Sequence, residues 1–232
     1  MPFVMVDTSV SLPATLGGGM PRKFWVILAL GALTYECNQR RLELEELERE
    51  AEATGSRVGG SERARALIEA AEFRRSALAE LLPYETPDDW VAIGSAYLFD
   101  EYERKLREIG RRLDPTLEEE DIPRLRRQVQ AICAAGAPPI DPREEIPMLT
   151  SDPQDDPIVF AALRADVDLL ISDDRRHIVP DGRSHTYEHG DLHVLAVTFD
   201  ALVADHLDVA WPEVDGSWLA VAYERLEALS GE

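Results

Sequence analysis

Residues 152–174 read DPQDDPIVFAALRADVDLLISDD, an apolar segment opened by one acidic cluster and closed by an acidic pair. Inside it, Ile158, Val159, Ala162 and Leu163 recur at helical spacing and share one face. The following DLLIS (168–172) has the compact apolar run of a buried strand. Asp155 stands three residues before Ile158 and seven before Ala162, so it projects along the middle of the apolar stripe. Asp156 falls at the edge of that stripe. Acids at 152–156 suit a helix N-terminus, and that role fits Asp152 and Asp156. For Asp155 it fits less well, because a carboxylate aimed inward at the start of a core helix is costly unless something compensates it.

Working outward, FVMVD (3–7) reads as a short buried strand ending in an acid, and TSVSLPATLGGG as a loop. A helix is expected from near Pro21, a good first-turn residue. The helical pattern continues to Leu82 with one break at TGSRVGG, which predicts a helical hairpin. WVAIG (90–94) is a strand, and Ser95 can cap the following helix AYLFDEYERKLREIGRRL. Another helix is expected at about 121–135, then the Pro-rich linker APPIDPREEIP and a helix near 155–165. LHVLAVT is a further strand, FDALVADHL a short helix, and SWLAVAYERLEAL the last helix. Strands alternating with helices imply an α/β fold with a mainly parallel central sheet flanked by helices. In such sheets, sites form outside the carboxyl ends of strands, where Asp7 and Asp174 both fall.

At this point the chain resembles a family. The 152–174 stretch matches, without gaps, the third and fourth acidic motifs of PIN-domain nucleases. VMVDTSV looks like their first motif, and SAYLFDEYERKL like the second, a Ser-led helix carrying Glu with a Leu five residues later. The resemblance covers about 1–32 and 90–200. It implies a PIN-like domain over 1–210, with 34–88 as an inserted helical hairpin and 211–232 as a C-terminal helical extension. Carried over residue by residue, the catalytic and metal-binding acids are Asp7, Glu101, Asp155 and Asp174. Periodicity alone does not choose between Glu101 and Glu103, which flank the stripe Leu98, Tyr102, Leu106, Ile109; the family register favours Glu101 with Leu106. Glu36 in ALTYEC mimics the second motif, but its distance along the chain from Asp155 suits the family less well. Asp173 stands where Gly is common. His177 occupies a position where a further Asp or His often occurs, and Ser9 and Ser172 match small hydroxyls that orient the carboxylates.

No His or Cys nucleophile partners these acids. Clustered carboxylates alone suit hard, oxygen-preferring cations such as Mg²⁺ or Mn²⁺, which activate water and neutralise charge on a transferring phosphate. The resemblance therefore implies a metal-dependent endoribonuclease that hydrolyses phosphodiester bonds of single-stranded RNA and leaves 3′-hydroxyl and 5′-phosphate ends. A toxin of a toxin–antitoxin pair, or a related defence or RNA-processing nuclease, fits that activity, with an antitoxin or other protein partner and a homodimer as further expectations. The alternative, from another class, is a catalytically inactive PIN-like binding module that recruits a protein partner through the helical insertion.

Composition sets limits on this reading. Forty-five acids against 24 bases give a net charge of −21, whereas a binder that neutralises phosphates should be basic. Distribution softens the objection. Arg104 and Lys105 follow Glu101, Arg107, Arg111 and Arg112 continue the same helix, and Arg175 and Arg176 follow Asp174, while excess acid gathers in ELEELEREAE. A solvated helix face accounts for those arginines equally well. Two cysteines, Cys37 and Cys133, make no disulfide framework or paired ligand motif, so a cytoplasmic setting is expected. MPFVMVDTSV lacks a basic lead, and the apolar run after Pro21 is too short to span a bilayer, so no membrane partner is expected. His185, His189 and His193 are spaced by four, but Gly182 and Gly190 mark a loop entering a strand, where helical spacing has no force.

Overall fold

The computed structural model describes residues 2–17, 19–54, 67–73, 90–112, 117–141, 143–207 and 216–230. In chain order the elements are β1 (Phe3–Val6), α1 (Thr8–Leu16), α2 (Met20–Thr54), β2 (Val91–Gly94), α3 (Ala96–Arg112), α4 (Asp121–Ile132) and β3 (Ala135–Gly136). They continue as α5 (Asp156–Arg164), β4 (Leu169–Ile171), β5 (Ser184–His189), β6 (Leu192–Val197), α6 (Phe199–Asp205) and α7 (Gly216–Ser230). Six strands form one sheet in the order β3-β2-β1-β4-β6-β5. All neighbours run parallel except β5, which pairs antiparallel with β6 at the edge.

Because side chains alternate along a strand, each central strand feeds two apolar layers. Val4 and Val6, with Leu169 and Ile171, join the larger layer; Met5 and Leu170 join the smaller. The smaller layer is closed by α5, through Ile158, Val159, Ala162 and Leu163, together with Leu98 and Val179. The larger is closed by the first half of α2, whose residues Phe24–Leu30 are all buried. A segment apolar on every side needs neighbours on every side, and α7 supplies one of them. Trp25 donates its indole N–H to the Tyr223 hydroxyl at 3.1 Å, and Leu219, Ala222 and Leu226 share the same core. Gly31 permits the closest approach: a Cβ there would lie 1.8 Å from the Trp90 carbonyl oxygen.

Three expectations change. Residues 8–16, read as loop, form α1; Asp7 caps it by accepting the Ser9 N–H, and Val10, Leu12 and Ala14 are buried. Residues 184–189, read as loop, form β5, turned into β6 through Gly190 at φ +63°. The last helix is packed into the main core rather than appended to it.

The expected inserted hairpin is described in part. Its first arm is the continuation of α2 beyond Leu33, where burial ends, as far as Thr54. Residues 67–73 are helical, with Ala70 buried in the larger core and Glu69 paired to Arg225 of α7 at 2.6 Å. The TGSRVGG break after Thr54 and the stretch 74–89 lie outside the described residues.

Candidate functional site

The parallel register of β1 and β4 sets Val6 beside Ile171, so the residues that follow each strand emerge together. The Asp7 N–H completes the ladder to the Ile171 carbonyl at 2.9 Å. Asp7 is only 3% exposed, and its Oδ2 accepts three hydrogen bonds: Ser9 Oγ at 2.6 Å, Ser172 Oγ at 2.8 Å and the Ser9 N–H at 3.2 Å. Among the described residues its Oδ1 has only the Thr8 hydroxyl, at a long 3.5 Å. One oxygen is therefore fully held and the other is free to face a ligand. The same two serines tie down the end of β4, since Ser9 Oγ accepts the Asp173 N–H and Ser172 Oγ accepts the Asp174 N–H. Asp174 is oriented by its own turn, its Oδ1 accepting the N–H groups of Arg176 and His177 at 2.9 Å each.

Glu101 comes from α3, whose start is fixed by Ser95 accepting the Leu98 N–H at 3.1 Å. Leu98, Tyr102 and Leu106 bury one face of that helix, and Glu101 beside them keeps a side chain only 14% exposed. Its Oε2 is buried with no hydrogen-bond partner among the described residues. Lys105 and Arg104 approach Oε1 only loosely, at 3.6 and 3.7 Å. Burial, and then the Asp7 carboxyl, raise the pKa of Glu101 above the ordinary range, against weaker opposition from Lys105, Thr8 and Arg104.

Asp155 occupies the N-cap position of α5 but makes no side-chain capping bond. A capping aspartate accepts the N–H two or three residues on; this one does not. Its pKa is pushed up to about 7, first by burial and then by Asp7, Asp174, Glu101 and Asp152 in turn. Three acids predicted from distant parts of the chain thus act on the fourth. Burial pushes the Tyr187 phenol up to about 12, with Asp155, Asp156 and Asp174 adding to it. The Tyr187 hydroxyl donates to the carbonyls of His177 and Ile178, which anchors the turn after Asp174.

The remaining candidates separate by their contacts. Asp156 is 5% exposed and its Oδ1 takes the Leu149 N–H, the Thr150 N–H and the Thr150 hydroxyl, so it braces the loop before α5. Glu103 turns to Arg126 and Arg107, and the Arg126 hydrogen bond lowers its pKa. Glu36 sits beside Tyr35, whose ring packs edge-on against Phe3 at the far end of β1 from Asp7. Arg175 is paired with Asp200 at 2.8 Å, while Arg176 is exposed. The three spaced histidines do not gather: His185 pairs with Asp181, and His189 packs on Phe160.

Asp152 is the residue the sequence reading set aside. Atoms of Asp152, Asp155 and His177 able to hold a cation lie within 4.8 Å of one another, and His177 Nδ1 is fixed by the Ser151 hydroxyl at 2.8 Å. The signal available was the three-residue spacing of Asp152 from Asp155 on one turn, which also suits a cap. Compared with protein-family models, with curated proteins and with solved structures, the chain matches none.

Proposed function

We propose that the chain is a metal-dependent nuclease of the PIN-like kind, hydrolysing phosphodiester bonds of single-stranded RNA. The observation that carries the reading is Asp155, which stands at a helix start without capping it, its pKa raised to about 7 by burial and by Asp7, Asp174, Glu101 and Asp152. Like carboxyls packed together without a compensating charge are costly, and a divalent cation is the simplest compensation.

The chemistry of the acids suits such an ion, although among the described residues the donor atoms within 4.8 Å of one another are those of Asp155, Asp152 and His177. Among the described residues Glu101 Oε2 is buried without a hydrogen-bond partner, and Asp7 Oδ1 has one long contact. With no thiolate in the set, the donors suit Mg²⁺ or Mn²⁺, held by Asp7, Glu101, Asp155 and Asp174. A cation there would lower the pKa of a bound water and neutralise charge on the phosphate. The protein's own part is positioning. Ser9 and Ser172 lock one Asp7 oxygen and so aim the other, Tyr187 anchors the turn that carries Asp174, and Arg104, Lys105 and Arg176 place positive charge at the rim. In the reaction, water oxygen bonds to phosphorus as the 3′-oxygen leaves and takes up a proton, giving 3′-hydroxyl and 5′-phosphate ends.

The test is cleavage of labelled single-stranded RNA and DNA with Mg²⁺, with Mn²⁺ and with EDTA. Cation-dependent cutting of RNA that is lost in Asp7→Asn, Asp155→Asn and Asp174→Asn is the expected result. Wild-type protein that cuts nothing, or variants that cut at the wild-type rate, would overturn the assignment; the first outcome favours a binding module. A small neighbouring reading frame for an antitoxin separates a toxin from a processing enzyme.

A further inference from the structure

The first turn of α3 leaves Tyr97 exposed, 41% of it accessible. At 3.6 residues per turn, Tyr97, Glu101, Arg104, Glu108 and Arg111 all fall within about 40° of one line along the helix. That line runs alongside the buried stripe of Leu98, Tyr102 and Leu106, with Glu101 on the edge nearest the stripe and only 14% exposed. Beside it lies a groove of about 410 Å³ lined by Arg104, Arg107, Glu108, Arg111 and Arg112. One helix face therefore carries an exposed aromatic ring, then a site acid, then a run of guanidinium groups.

Not all of this positive charge is committed elsewhere. Arg112 is paired with Glu108 at 2.7 Å, and Arg107 with Glu103 and Glu119. Arg104 is held only loosely by Glu101, and Arg111 has no ion-pair partner among the described residues. In a chain of net charge −21, a helix face where Arg104 is loosely held and Arg111 has no ion-pair partner among the described residues is a local gathering of positive charge. An anionic polymer would meet favourable charge along this face.

We infer that a single strand of nucleic acid lies along the exposed face of α3, with a base stacked on Tyr97 on one side of the acids and phosphates held by Arg104 and Arg111 on the other. This rests on the nuclease reading above and adds to it a path for the strand. Tyr97 to Arg111 covers about 21 Å of helix at 1.5 Å per residue, enough for several nucleotides. Stacking on a side chain needs a base freed from its neighbours, so Tyr97 selects single strands over duplex. The guanidinium groups are indifferent to sequence because phosphates are the same at every step.

The experiment measures fluorescence anisotropy of the full chain with a labelled oligouridylate, in EDTA so that no cutting intervenes, against duplex RNA, inorganic polyphosphate and poly-glutamate. Tyr97→Leu should weaken oligouridylate binding roughly tenfold and leave polyphosphate binding unchanged. Arg111→Ala should weaken both and reduce the slope of log affinity against log salt by about 0.7, one phosphate's share for a single strand. With Mn²⁺, both variants should raise KM for RNA and keep kcat. Wild-type binding retained in both variants overturns the path, as does poly-glutamate displacing oligouridylate with no effect of Tyr97, which would assign the strip to an acidic protein partner. The two readings fail separately. RNA cut by wild type with both variants unchanged in KM removes the path alone; binding that depends on Tyr97 and Arg111 without any cutting removes the nuclease alone.

Discussion

Replacing Asp155 with Asn should stabilise the metal-free protein above neutral pH. Its carboxyl titrates at about 7 in the folded chain against an ordinary 3.8. Below pH 4 the group is protonated in both states and contributes nothing. As pH rises toward 7 the unfolded chain releases the proton while the folded one retains it, so stability falls, and above 7 the whole penalty is present. Undiminished, that difference would be ~4 kcal/mol at 1.36 kcal/mol per pH unit. The side chain is partly exposed, and solvent screening leaves roughly 1–2 kcal/mol. For a chain of this size each kcal/mol moves Tm by about 2–4 °C. Asn keeps the shape and removes the charge, and no capping bond is lost because none is made. In EDTA at pH 8 the variant should therefore melt a few degrees above wild type, and the gap should close at pH 4. Mn²⁺ at a hundredfold excess over its dissociation constant should stabilise wild type by about 2.7 kcal/mol and the variant by little. Paired thermal melts over this pH range decide it. A variant that melts lower at pH 8, with the same Mn²⁺ response as wild type, would show that Asp155 is a structural residue and that the repulsion argument is wrong.

Three further outcomes are expected. Glu101→Gln should lower cleavage by about a hundredfold, as weakening the hold on a catalytic cation does, whereas Glu103→Gln should keep activity and cost about 0.2–1 kcal/mol through its arginine pairs; rates and melts of the two variants side by side test this. Asp156→Ala leaves the Leu149 and Thr150 N–H groups without their acceptor, at about 1–3 kcal/mol each if they stay dry, and urea titration should show a marked loss. Gly31→Ala drives a methyl into the Trp90 carbonyl and should cost about 1–3 kcal/mol or more by overpacking, so a Tm equal to wild type would refute the close approach of α2 to β2.

Three of the four candidate acids stand out in the sequence because each belongs to a strong local pattern. Asp7 and Asp174 follow short apolar strands, and Asp155 interrupts the apolar stripe of a helix at a place where water would otherwise be excluded. The choice between Glu101 and Glu103 was not local. Both flank the same stripe, and only Arg126 on α4, which engages Glu103, distinguishes them. α1 was missed because TSVSLPATL is rich in Ser, Thr and Pro, which disfavour an isolated helix; its support is tertiary, from buried Val10, Leu12 and Ala14 and the Asp7 cap. β5 was missed because SHTYEH is polar, as an edge strand with one buried residue, Tyr187, can be. The company of Asp152 and His177 depends on the turn after β4 folding back over the start of α5, and nothing in either segment announces it.

The position of β1 in the sheet has a consequence for biosynthesis. β1 is made before either strand it pairs with, and must sit between them, with Phe3 paired to Val91 on one side and Val4 to Leu169 on the other. Such distant pairing is slow to form, and Asp7 waits with it. On an emerging chain the segment bearing Asp7 and α1 has neither flanking strand, and Asp155 and Asp174 follow only after β2, α3 and α4 have been made. A nascent fragment therefore carries no assembled cluster. Any destructive chemistry of this site would be withheld from the ribosome's own RNA until β4 had closed against β1.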